Sequence, residues 1–75
     1  MKNYQFTAHI GKEHETGLYY GIVPTLPGAH TQASTLDELH ENLKEVVELC
    51  LEELSSEELS ELAEFVGLQQ ISVAV

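Results

Sequence analysis

Val23-Pro24-Thr25-Leu26-Pro27-Gly28-Ala29-His30-Thr31-Gln32-Ala33-Ser34-Thr35 is the stretch on which the reading of this 75-residue chain turns. Its two prolines each lack a backbone N–H and fix φ, which forbids a regular helix or a central strand across positions 24 to 27. Pro27-Gly28 is a turn dipeptide, because proline presets the second turn position and glycine tolerates φ > 0 at the third. His30 to Ala33 then has room for a short extended run, and Ser34 or Thr35 can cap a helix. The residues before this stretch read as strand. Most of those beyond it read as helix.

Working back toward the N-terminus, Tyr4-Gln5-Phe6-Thr7-Ala8-His9-Ile10 alternates with period two, so Tyr4, Phe6, Ala8 and Ile10 are expected to face a core. The polar run from Gly11 to Gly17 suits a hairpin loop. Leu18-Tyr19-Tyr20-Gly21-Ile22-Val23 is a second strand, rich in aromatic and β-branched residues. With Tyr20 and Ile22 pointing inward, Tyr19 and Val23 would form an apolar outer face with a gap beside them at Gly21. Such a face is a candidate contact surface.

Forward of the turn the period changes. Leu36, Leu39, Leu43, Val46, Val47, Cys50 and Leu54 recur at steps of three and four and predict one helical stripe. Thr35 and Glu38 stand at capping-box spacing, and Asp37 and Glu38 suit the positive end of the helix dipole. Glu52 and Glu53 oppose the other end and predict fraying there unless something holds it. Ser55 and Glu58 repeat the capping-box spacing, and Leu59, Leu62, Ala63 and Val66 predict a short second helix stopped at Gly67. Residues 69 to 75 return to alternation, with Ile71, Val73 and Val75 on one face of a last strand. The expected fold is α+β: an antiparallel sheet of three to four strands, a long helix across one face and a short helix before the last strand. The whole chain, 1–75, reads as one domain.

Thirteen acidic residues against three lysines and no arginine give a formal charge of −10. That balance argues against direct nucleic-acid binding, which needs cations for the phosphates, and it favours a basic partner or simple solubility. The hydrophobic fraction of 43% and the clear periodicities exclude a disordered acidic tail. No segment resembles a signal peptide or reaches membrane-spanning length, so a cytoplasmic location is expected. A single cysteine, Cys50, permits no internal disulfide, and a chain this small has a limited core. Oligomerisation, as a homodimer or larger, is the expected remedy.

The chemistry-bearing side chains each have a plain reading. His9 falls on the exposed face of the first strand, and His14 and Glu15 fall in a loop tip. His40 flanks the helix stripe as a partly covered structural histidine. Cys50 lies in the stripe as a small hydrophobe. Glu57, Glu58, Glu61 and Glu64 read as a solvated helix face, without the loop of a calcium site. His30, after the Pro-Gly turn and close to a helix start, is the most interesting of the set. No catalytic residue, metal site or cofactor is expected, and the candidate partner-contacting residues are Tyr19, Val23, Leu26, His30 and Thr31.

The run from Gly17 to Glu38 resembles the HicB-like antitoxin domain. That family shows a glycine and aromatic strand, a Val-Pro-x-Leu-Pro-Gly-Cys turn, a short strand and a Thr-x-x-Glu helix start. Asn42 to Glu52 is similar to the family's helix, so the likeness covers about residues 4 to 54. Ala29 stands where many members carry cysteine. The resemblance implies a partial ribonuclease-H-like fold without nuclease activity, and an antitoxin that blocks a small basic, mRNA-cleaving HicA-type toxin. Many members append a DNA-binding domain, and none is expected here beside the single domain of residues 1–75. Two other readings stay beside it: a solitary homo-oligomer with another binding or structural role, and a metal-assisted hydrolase using His30 with helix carboxylates.

Overall fold

The computed structural model describes residues 4–64 and 66–75. Three antiparallel strands, β1 (His9–Lys12), β2 (Tyr19–Ile22) and β3 (His30–Ala33), form a meander in the order β1-β2-β3. Two helices come after them, α1 (Leu36–Glu53) and α2 (Ser56–Ser60). The architecture is the expected α+β arrangement, with α1 laid across β3 and β2. The inner side of β1 lies beyond the helix.

The turn is built as its prolines and glycine dictate. The Leu26 N–H donates to the Val23 carbonyl at 3.0 Å, and the Ala29 N–H donates to the Leu26 carbonyl at 3.0 Å, giving two consecutive turns with a proline second in each. Gly28 has φ +84°, the left-handed value that this turn requires and that a β-carbon would strain. The Val23 N–H closes the loop on the Ala29 carbonyl at 2.9 Å. These bonds satisfy the backbone of the turn internally. Its apolar side chains are thereby buried with these backbone bonds already made, while the buried Thr25 hydroxyl has no hydrogen-bond partner.

Burial follows from that closure. Val23, Leu26 and Ala29 of the turn, Ala33 of β3, and Leu39 and Leu43 of α1 form the core. Leu26 and Leu39 are each 1% exposed, and full burial of a leucine stabilises by about 1.5–3 kcal/mol. Phe6, Ala8, Val46, Val47, Cys50 and Leu51 pack around this centre as half-buried neighbours. The helix begins as predicted, with the Thr35 hydroxyl accepting from the Glu38 N–H at 3.1 Å. The Glu38 carboxylate, however, accepts from the Ser34 hydroxyl rather than closing the box on Thr35.

Several expectations need correction. The first strand starts at His9 and runs through Gly11 and Lys12, so the hairpin loop is shorter than the glycine-to-glycine reading. Phe6 and Ala8 do reach the core, but Tyr4 and Ile10 remain about half exposed because no helix covers β1. Leu36, assigned to the buried stripe, is 54% exposed, since it sits in the first turn ahead of the sheet contact. At the far end of α1, beside Glu52 and Glu53, the Leu54 N–H donates to the Leu51 carbonyl, a contact that holds that end. Ser55 and Glu58 form a complete capping box. The helix they start ends at Ser60, well before Gly67, and leaves Ala63 and Val66 exposed. Residues 69 to 75 pair with nothing and form no strand.

Candidate functional site

The register fixes which side chains share a face. Ile22 stands opposite His9 on one side and His30 on the other, while Tyr20 stands between Gly11 and Gln32. Successive strand residues point to opposite faces. Tyr19, Gly21, Thr31 and Ala33 therefore face the helix, and Tyr20, Ile22, His9, His30 and Gln32 face away from it. Gly21 is buried, and a β-carbon there would sit 2.8 Å from Leu43 Cδ1. The glycine marks the closest approach of helix to sheet. It is not a gap in an outer surface.

This reverses the expected facing of β2. Tyr20 and Ile22 are 48% and 44% exposed, whereas Val23 is 2% exposed and Tyr19 is half-buried against the core. Of the five candidate contact residues, Val23 and Leu26 are buried in the core. Tyr19 lies on the helix side with the Lys12 ammonium 5.2 Å from its ring centre, a cation–π contact. Thr31 is half-buried on the same side. His30 alone lies exposed on the open face. The residues that sequence reasoning missed are Tyr20 and Ile22. The available signal was Gly21, whose missing side chain puts its face, and that of Tyr19 and Val23, under the helix.

The open face has two rows. His9, Ile22 and His30 form one, and Gly11, Tyr20 and Gln32 form the other. The Tyr20 ring lies across Gly11, where an added β-carbon would be 2.3 Å from its Cζ and Oη. A shallow depression lined by Tyr20, Ile22, His30 and Gln32 opens on this face. The two histidines stand on the outer strands with Ile22 between them, about 10 Å apart at two strand spacings. Among the described residues, no three histidine, cysteine or acidic side chains converge to hold a metal.

The opposite side of the molecule is charged. Asp37, Glu38, Glu41, Glu45, Glu48, Glu52 and Glu53 are all exposed along α1, with Lys44 among them. His40 is exposed there as well, not partly covered as expected, because it points off the stripe. The domain thus presents a neutral aromatic sheet face and an acidic helix face. No described helix is long and apolar enough to cross a membrane.

No protein-family model and no solved structure matches the chain. Among known proteins it is similar to UPF0150 protein ssr1258 of Synechocystis, at 42% identity over 97% of this chain and 100% of the relative. A UPF0150 protein of Thermotoga maritima is 49% identical over 97% of each chain. Another, from Archaeoglobus fulgidus, is 47% identical over 92% of this chain and 94% of its own. Identity of this order, running the length of both partners in three cases, places the sheet, turn and helix described above within one family: the chain belongs to the UPF0150 proteins.

Proposed function

We propose that this protein is an antitoxin-like binding module, cytoplasmic and without catalysis of its own, that neutralises a small basic mRNA-cleaving toxin of the HicA type by direct contact. The observation that carries the reading is the uncovered sheet face, where Tyr20 and Ile22 stay half exposed in a chain of net charge −10. Half-exposed aromatic and branched side chains on a rigid sheet are suitable anchors for another protein. The acidic helix supplies a field that draws a basic partner in and disfavours acidic ones. The likeness of residues 17 to 38 to the HicB-like domain supports the choice of partner class.

The test is titration of the purified protein into an RNA-cleavage assay with HicA-type toxins, including any encoded beside it. Stoichiometric loss of cleavage is expected, and the double variant Tyr20→Ala/Ile22→Ser should weaken inhibition by roughly 30-fold, the loss of about 2 kcal/mol of anchor contact. A panel of such toxins left unbound and fully active would overturn the proposal.

A further inference from the structure

The segment after Glu64 differs from the rest of the chain in charge, and from Val66 onward in packing. Residues 65 to 75, Phe-Val-Gly-Leu-Gln-Gln-Ile-Ser-Val-Ala-Val, carry no ionisable side chain, in a protein whose net charge is −10. Ile71, Val73 and Val75 alternate as in a half-buried strand, yet they are 80%, 74% and 121% exposed. Val66, Gly67 and Leu68 line a shallow depression with Thr7 and His9, at the start of β1. The radius of gyration is 14.3 Å, against about 11 Å for a compact chain of this length. One copy does not fold its own tail back.

We infer that residues 69 to 75 are a donated strand: in a two-fold dimer each copy adds its tail to the open edge of β1 in the other. Strand addition satisfies an unpaired row of edge N–H and carbonyl groups, which otherwise invite uncontrolled pairing. Of the two open edges, β1 is the one with apolar surface still to cover. Its inner side lies beyond α1, and Ile10 and Tyr4 remain 49% and 50% exposed there. The β3 edge offers His30 and Gln32 outward and Thr31 and an already buried Ala33 inward. Seven extended residues span about 23 Å, enough to run the length of β1 and the residues before it. Charge selects the same segment, because two copies at −10 repel, and the tail is where a neutral strand can approach. Reciprocal exchange makes the contact self-complementary and closed.

The experiment is the solution mass of the full chain by sedimentation equilibrium, with circular dichroism confirming unchanged helix content. Wild type is expected at twice the chain mass. Val73→Asp puts a charge into the donated strand, Ser72→Pro removes one of its ladder donors, and Ile10→Lys spoils the receiving edge; each should halve the mass. Mixing Val73→Asp with Ile10→Lys should restore a dimer, because one intact tail and one intact edge remain. A wild type at one chain mass at every concentration, whether its tail is free, docked on its own β1 or displaced by another protein, overturns the inference. So does a dimer mass that survives both tail variants. Neither result depends on toxin binding.

Discussion

The turn between β2 and β3 and the tail from Val66 to Val75 are both apolar stretches outside regular structure, and they end in opposite conditions. Val23, Leu26 and Ala29 are 1–2% exposed, whereas Val66, Leu68, Ile71, Val73 and Val75 are 69–121% exposed. Hydrophobicity is therefore not what separates them. The turn closes its own backbone hydrogen bonds and meets a helix whose stripe matches it; the tail has an alternating pattern but pairs with no strand of its own chain. A pattern becomes structure only where a complementary surface lies within reach.

That contrast breaks most readily at its buried end. Leu26→Ala should cost about 2–5 kcal/mol, most of the stability of a domain this small, read as a lowered denaturant midpoint; a loss below about 1 kcal/mol would show that the turn is not the centre of the core. Gly21→Ala comes next, at roughly 1–3 kcal/mol, because its β-carbon would press on Leu43 Cδ1 and lift α1 from β2. Gly28→Ala and Thr35→Ala should each cost about 1 kcal/mol, the first through a strained φ and the second through a lost helix cap. At the open end, Val66→Ser should change the stability of the single chain by less than about 0.5 kcal/mol, since the side chain is 92% exposed. A larger loss there would mean that the tail packs as the turn does.

The sequence was legible where local rules and burial agree. The Pro-Gly turn, the Thr35 and Ser55 caps and the span of α1 each follow from residues within a few positions of one another. The facing of β2 was harder. Tyr19-Tyr20-Gly21-Ile22-Val23 has apolar residues on both faces, so alternation groups them without saying which group is covered. Gly21 holds that information, but only once a helix is known to need the space. The candidate site inherited the inversion, which placed the core residue Val23 in a contact surface and left out Tyr20 and Ile22. The last strand failed for a different reason: strand formation is a property of two segments, and the tail supplies one.

Cys50 offers a clock for the helix. It is a free thiol, half-buried on the face of α1 that meets the core, and the chain has no second sulfhydryl to confuse its signal. A slow alkylating reagent can reach it fully only when α1 lifts, so its labelling rate under native conditions, set against that of the unfolded chain, follows the fraction of time the thiol is uncovered.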